Sequence, residues 1–167
     1  MRVYRDFQGF DPTTGQPIQT DVQDFVGKSA LPDINAGLST RASYKNWTLS
    51  AYFAGQFGHY IYNNTANAFF TAGAFRSGRN VPLDVLNAGE SFDAAADVST
   101  RFLESGDFVR LQNVTLSYDI PLSEDSVFER IGVSLTGQNL FVITDYSGLD
   151  PEVSSSPAGG DLLNGLP

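Results

Sequence analysis

The sequence has no cysteine, one histidine and little charge, since only 17% of its residues are Asp, Glu, Lys or Arg. The missing cysteines exclude a disulfide framework, a thiolate metal site and a cysteine nucleophile, and His59 alone cannot form a histidine cluster. No run of 18 apolar residues occurs, which excludes a transmembrane helix but not a transmembrane β-barrel, whose strands are short and only half apolar. The net charge of −9 argues against nucleic acid as a partner, because phosphate binding needs clustered Lys and Arg.

The residue types that are abundant favour strands and turns. The chain has 13 Phe and 7 Tyr, which are enriched in strands, and 16 Gly and 8 Pro, which mark turns. The sequence contains no Ser/His/Asp set and no carboxylate pair whose approach it can demonstrate. We therefore expect neither an enzyme nor a bound cofactor.

The two ends of the sequence bear on its origin. The first residues, "MRVYRDFQGF", are charged and lack the apolar centre of a signal peptide. The chain is therefore either cytoplasmic or a piece of a longer exported protein. The last residues, "AGGDLLNGLP", read as a loop, and we expect the second option.

Four segments alternate apolar and polar residues, which is the period of a strand with two different faces. The predicted strands are about 34–45, 47–58, 108–120 and 130–143. Lys45-Asn46 is predicted as the tight turn between the first two. Residues 1–32 read as loop because "DPTTGQP" is turn chemistry, and residues 59–106 show no sustained period and are predicted as a long outer loop.

The alternation of the third segment slips by one residue. Leu111 belongs to one apolar phase and Val114 to the other, with the slip at Gln112-Asn113. One extra residue in a strand produces a β-bulge, so we predict a bulge at this point.

Short and long connections alternate between the four segments, as in outer-membrane barrels. A strand tilted by about 40° needs ~10 residues to cross an apolar band of ~25 Å, and all four segments reach that length. The predicted fold class is therefore all-β: antiparallel strands of a transmembrane β-barrel, of which about four are present. The apolar face would meet lipid, and the polar face would line a lumen or pack on a plug. A soluble antiparallel sandwich with one wet face gives the same alternation, and the pattern alone leaves both open.

Three stretches resemble elements of one protein family. "RFLESGDFVRLQNVTLSYDIP", residues 101–121, resembles a signature near the C-terminus of the SusC/RagA family of TonB-linked outer-membrane transporters. "GQNLFVITDYSGLDPEV", residues 137–153, resembles the next element of that family, and the hairpin "PDINAGLSTRASYKNWTLSAYFAGQFGHYIYN", residues 32–63, resembles the preceding one. The matching positions in the first two stretches are Gly106, Phe108, Arg110, Leu111, Asn113, Thr115, Leu116, Tyr118, Pro121, Asn139, Leu140, Phe141, Tyr146, Gly148, Asp150, Pro151 and Glu152.

The resemblance covers about residues 11–153 with the elements in the family's order. It implies that residues 1–167 are a C-terminal segment of a TonB-dependent transporter β-barrel, because the TonB segment, the plug, most barrel strands and the final strand have no counterpart here. The implied function is import of glycans or oligopeptides across the outer membrane of a Gram-negative, Bacteroidetes-like bacterium. The implied partners are outer-membrane lipid, a SusD-like surface lipoprotein acting as a lid, and TonB, which would act through the absent N-terminal region.

The aromatic residues of the long loop are the first candidate site. Stacking on sugar rings or contact with a lid favours exposed aromatic side chains. Packing within the loop, or a place in the interfacial aromatic girdle, is the alternative interpretation. The candidates are Tyr60, Tyr62, Phe69, Phe70 and Phe75.

Polar residues of the predicted strands and of the last loop form the second set of candidates. We interpret Arg110, Asn113 and Asn139 as structural residues of the lumen or of a bulge rather than as ligand contacts. Asp150 and Glu152 are weak candidates for Ca²⁺ ligation, although Asp before Pro also favours a tight turn. No other metal site is expected.

Two other functions stay open at this point. One is a different class of outer-membrane channel, which the presence or absence of a plug and a TonB segment in the parent gene would separate. The other is a soluble carbohydrate-binding β-sandwich, which would be monomeric in buffer without detergent.

Overall fold

The computed structural model describes residues 3–124 and 126–152, and these fall into two compact units. The sheet unit comprises 32–57 and 107–145, and the loop unit comprises the described residues before 32, 58–106 and those from 146 on. The strands are β1 Phe7–Phe10, β2 Pro17–Gln19, β3 Ile34–Tyr44, β4 Trp47–Phe57, β5 Tyr60–Tyr62, β6 Leu103–Ser105, β7 Phe108–Ile120 and β8 Ile131–Thr144. The helices are α1 Asn64–Phe69, α2 Ala72–Arg76 and α3 Leu83–Asn87, with a 3-10 turn at Thr100–Phe102.

The sheet unit is one antiparallel sheet in the order β3-β4-β7-β8. The predicted fold class is confirmed, and the strand bounds differ from the predicted ones by at most one residue. The turn between β3 and β4 consists of Lys45 and Asn46, with Lys45 at φ 52°. Within the described residues β3 and β8 each pair on one side only.

The register separates an apolar face from a polar one. Side chains directly opposite each other on paired strands lie on the same face, and the row Ala42, Leu49, Leu116 and Leu135 belongs to the apolar face. The adjacent row on the polar face consists entirely of hydroxyl residues: Ser43, Thr48, Ser117 and Ser134. In this polar face Ser43 Oγ lies 3.1 Å from Thr48 Oγ1, and Thr115 Oγ1 lies 3.0 Å from Thr136 Oγ1.

A bulge at Gln112 keeps the apolar face continuous along β7. Leu111 pairs with Phe53 and Asn113 pairs with Tyr52, so Gln112 is an extra residue relative to β4. Across the other neighbour, Asn113 pairs with Gln138, and the register shifts between Leu111 and Asn113 again. The one-residue phase slip predicted from the sequence is therefore a bulge that returns Leu111 and Val114 to one side of the sheet.

The apolar face is not covered by another layer of the sheet unit. Leu38 and Val133 are 63% and 61% exposed, and Leu116 is 40% exposed. A soluble sandwich would bury these positions between two sheets. Their exposure therefore fits a face that meets lipid.

The loop unit contains short elements that the sequence did not indicate. Residues 1–32 were predicted as loop, yet β1 and β2 form a hairpin. Its turn is built around Asp11, whose Oδ1 accepts the backbone N–H of Thr13 (2.8 Å) and Thr14 (2.7 Å). These two bonds lower the pKa of Asp11.

A small core holds the loop unit together. Its buried residues are Tyr4, Tyr62, Ala66 and Phe102. The rings of Tyr4 and Tyr62 stack with centroids 5.4 Å apart, and β5 pairs with β6 beside them. The segment predicted as one long loop thus begins and ends in a two-stranded ladder. None of the helices in the described residues is long and apolar enough to cross a membrane.

Candidate functional site

Two phenylalanines at the end of α1 are exposed. Helix α1 begins after Asn63, whose Oδ1 accepts the backbone N–H of Ala66 at 2.9 Å, a side-chain cap of the helix N-terminus. At the other end Phe69 and Phe70 are 44% and 36% exposed. The guanidinium of Arg79 lies 4.7 Å from the centroid of the Phe69 ring, a cation–π contact that leaves much of the ring accessible.

A second exposed pair lies on and near α2. Phe75 is 47% exposed, and its ring centroid lies 5.9 Å from that of Phe92. Beside this pair Arg76 forms an ion pair with Asp93. Phe92 was not among the predicted site residues, because it is a single aromatic in a segment without periodicity.

The two tyrosines among the predicted contact residues lie in different surroundings. Tyr62 is 7% exposed and belongs to the core, where burial and then the neighbouring Tyr4 raise its pKa to about 12. Tyr60 is half-buried, and its hydroxyl accepts a hydrogen bond from Lys28 Nζ at 2.7 Å. The structure therefore exposes Phe69, Phe70 and Phe75 and buries Tyr62. Contact with substrate or a lid stays a prediction for all five residues.

An ion pair between the buried carboxylate of Glu90 and the partly buried guanidinium of Arg101 anchors the segment that carries these helices. Arg101 donates from both terminal nitrogens to Glu90, at 2.9 Å to Oε1 and 2.7 Å to Oε2. Glu90 Oε2 also accepts the backbone N–H of Ala72 at the start of α2, at 3.2 Å. The guanidinium of Arg101 lies 4.8 Å from the ring centroids of Phe10 and Phe102. A two-point pair of this kind fixes geometry, so it holds α2 to the N-terminal hairpin.

A second carboxylate, Glu104 on β6, contacts the segment that follows β8. Its Oε2 accepts the backbone N–H of Ser147 at 2.7 Å. Its Oε1 accepts from Ser147 Oγ at 2.8 Å and from Asn63 Nδ2 at 3.0 Å. Neither Glu90 nor Glu104 was predicted, because their partners lie 11 to 43 residues away in sequence.

Two glycines in this unit are required by close approach of a ring. A Cβ on Gly106 would lie 2.4 Å from His59 Nε2, and a Cβ on Gly148 would lie 2.4 Å from the Tyr146 ring. Burial, followed by the negative charge of Glu104, raises the pKa of Tyr146. Gly106, Tyr146 and Gly148 are all positions of the motifs noted in the sequence, and here they share a packing role.

The residues predicted as structural lie at or near the bulge of the sheet unit. Asn113 follows the bulge residue Gln112 and pairs with Gln138 on β8. Asn139, the next residue of β8, has φ 49°, a conformation that Asn tolerates better than most residues. Arg110 is buried, and its guanidinium lies 5.6 Å from the centroid of the Phe108 ring. Their roles in a lumen remain a prediction.

The carboxylates predicted as weak calcium ligands form a local turn. Asp150 Oδ1 accepts the backbone N–H of Glu152 at 2.8 Å, the turn interpretation given above. Within residues 3–124 and 126–152, no group of three or more His, Cys, Asp or Glu is arranged to hold a metal ion.

Two of three comparisons with known proteins find relatives, and these relatives are of one kind. No protein-family model matches the chain. It is 32% identical over 156 residues to TonB-dependent receptor P26 of Formosa agariphila, covering 86% of this chain and 16% of that receptor. It is 31% identical over 140 residues to TonB-dependent receptor SusC of Bacteroides thetaiotaomicron, covering 78% of this chain and 14% of SusC.

A solved structure shows the same fold. The chain superposes on the RagAB peptide importer in its open-open state with a TM-score of 0.76 and 26% identity, over 89% of this chain and 19% of that one. The chain spans about a sixth of the length of the curated relatives it matches.

Proposed function

This chain belongs to the SusC/RagA-like TonB-dependent receptors, and from this premise we propose that it forms part of the wall and outer surface of a nutrient importer. Its location is the outer membrane. The complete receptor would import glycans or oligopeptides, using energy delivered by TonB, and would work with a SusD-like surface lipoprotein. The relatives are receptors and importers, so neither an enzyme nor a soluble carbohydrate-binding sandwich is favoured.

The observation that carries the proposal is the two-faced sheet. One face presents exposed apolar rows such as Leu49, Leu116 and Leu135, and the other presents hydroxyl rows. In a barrel wall the first face meets hydrocarbon and the second meets the polar interior. In this role β3 and β8 would pair with further strands, because an unpaired strand edge in hydrocarbon costs several kcal/mol for each open group.

The exposed phenylalanines of the loop unit supply the recognition surface in this proposal. Phe69, Phe70 and Phe75 expose ring area while anchored by Arg79 and by the Glu90–Arg101 pair. Aromatic faces stack on sugar rings and also bind apolar groups of peptides. We assign these three residues to contact with the substrate or with the lipoprotein. Arg110, Asn113 and Asn139 are assigned to the wall, where they maintain the bulge and the polar face.

The test is uptake in cells that depend on this receptor for a glycan or peptide mixture. Replacing Phe69 and Phe75 together with serine is expected to lower uptake at least tenfold, because the recognition surface is lost. Phe128→Ser is the matched control, since Phe128 is also exposed but lies in the short connection between β7 and β8. Removing TonB is expected to abolish uptake.

Two results would contradict the proposal. One is full uptake without TonB. The other is equal uptake by the double variant and the Phe128→Ser control, when both are present at normal levels in the outer membrane.

A further inference from the structure

Three segments far apart in the sequence meet at the carboxylate of Glu104. Asn63 precedes α1, Glu104 lies on β6, and Ser147 lies just after β8, so that Asn63 and Ser147 are 84 residues apart. Two of the three contacts to Glu104 come from Ser147 and one comes from Asn63. The carboxylate thus joins the last described segment of the chain to the start of a helix in the long loop.

In this cluster each of the donors named meets an acceptor. Asn63 Nδ2 donates to Glu104 Oε1 and also to Ser147 Oγ at 3.0 Å, while Asn63 Oδ1 is used by the N–H of Ala66. Asn63 is 2% exposed, so its side chain has little access to water. Ser147 is exposed as a residue, and its backbone N–H is bonded to Glu104 Oε2.

An ionised carboxylate is the side chain that suits this position. Both of its oxygens only accept, and they meet three donors. A glutamine would present one accepting oxygen and one amide nitrogen, and the nitrogen would face a donor. Bonds to an ionised acceptor are also stronger than neutral ones.

We propose that Glu104 is a positioning residue that couples residues 146–152 to helix α1. Through Ser147 it fixes the segment after β8, and through Asn63 it fixes the N-terminus of the helix that ends in Phe69 and Phe70. Loss of the carboxylate therefore loosens both segments together. This coupling lies within the loop unit and does not depend on the proposed transport function.

The experiment is amide hydrogen exchange on the complete receptor in detergent micelles. Glu104→Gln is expected to speed exchange about tenfold or more in peptides that cover 63–70 and 145–152, because at least one charge-assisted bond is lost. Ser147→Ala, a smaller change that keeps the carboxylate, is expected to speed exchange in the same two peptides by less.

The decisive variant exchanges the polarity of the pair. In Asn63→Asp combined with Glu104→Gln, the new carboxylate accepts from the glutamine amide and still caps Ala66, while the glutamine oxygen accepts from the Ser147 N–H. This double variant is expected to return exchange in both peptides to within about threefold of the wild type. Asn63→Asp alone places two carboxylates next to each other. It is expected to speed exchange in both peptides at least as much as Glu104→Gln does.

Glu90→Gln is the matched control, since Glu90 is a second bonded carboxylate of the same unit that holds Arg101 and the start of α2. It is expected to speed exchange in peptides that cover 71–76 and to leave the exchange rate of 145–152 unchanged. The proposal is overturned if Glu104→Gln changes neither peptide, if it changes only one of them, or if the double variant exchanges no more slowly than Glu104→Gln. Uptake is not the readout, so failure of the transport proposal would be seen separately.

Discussion

Replacing Gly106 with alanine tests whether a buried ring, rather than backbone geometry, requires glycine at this position. A Cβ there would lie 2.4 Å from His59 Nε2, 2.5 Å from His59 Cδ2 and 2.9 Å from Ile61 Cδ1. Carbon contacts are optimal at about 3.5–4.0 Å, so the imidazole has to move by about 1 Å. His59 and Ile61 are 4% and 6% exposed, so neither side chain borders open solvent.

The cost follows from two opposing effects. Overpacking a filled site destabilises by about 1–3 kcal/mol, whereas replacing glycine with alanine stabilises by about 0.4–1 kcal/mol through the unfolded chain. We therefore expect Gly106→Ala to weaken the β5–β6 ladder by about 1–2 kcal/mol. The N–H of Gly106, which donates to the His59 carbonyl at 2.8 Å, is a direct reporter of that ladder.

The assay is a double-mutant cycle with His59→Ala, using hydrogen exchange of the β5–β6 amides in the complete receptor. Removing the imidazole leaves room for the methyl group, so Gly106→Ala in the His59→Ala background is expected to cost less than about 0.5 kcal/mol. The coupling between the two sites is thus expected to be about 0.5–2 kcal/mol. An equal cost of Gly106→Ala in both backgrounds would refute the steric argument.

Two further predictions concern the sheet face and the tyrosine core. Leu135 is 76% exposed, lies on the apolar face and shares a row with Ala42, three residues before the turn at Lys45. Leu135→Arg is therefore expected to destabilise the receptor in lipid vesicles by about 1–3 kcal/mol, between the costs of a lipid-facing Arg at the interface and at the midplane, whereas Ser134→Arg on the polar face should cost far less. Denaturant titrations in vesicles would show equal effects of the two substitutions if the apolar face met water. Because burial raises the pKa of Tyr62 from 10.0 to about 12, the neutral phenol is favoured in the folded state, and stability present below pH 10 should be lost as the pH rises towards 12. Exchange of the β5–β6 amides between pH 9 and 12 measures this loss; it should be smaller in Tyr62→Phe, and an identical loss would contradict the assignment to Tyr62.

The long strands could be predicted because each carries its own period. Alternation over 11 to 14 residues fixes both the strand and its faces, and a single slip at Gln112 is visible against so long a pattern. The pairing of β3 with β4 could also be predicted, because the two-residue turn Lys45-Asn46 joins them.

The loop unit could not be predicted to the same degree, since its elements are too short to show a period. Strands of 3 or 4 residues and helices of 5 or 6 residues contain less than two turns or two repeats. Tyr62 reads from the sequence like any loop aromatic, and only its burial and its stacking on Tyr4 in the structure show that it belongs to the core. The contacts of Glu104 with Ser147 join residues 43 positions apart in the sequence, and no local sequence pattern predicts a contact of that kind.

The central claim, that hydrocarbon covers the apolar face of the sheet, is tested most directly by spin labels in the receptor reconstituted into bilayers. Labels would be placed singly at Leu38 and Leu135 on the apolar face, and at their chain neighbours Ser39 and Ser134 on the polar face. We predict that oxygen, which concentrates in lipid, relaxes the labels at Leu38 and Leu135 strongly, whereas a water-soluble nickel reagent does not. Oxygen is expected to relax the labels at Ser39 and Ser134 less than those at Leu38 and Leu135. High nickel accessibility at Leu38 and Leu135, or protection of both from oxygen and nickel alike, would contradict the account.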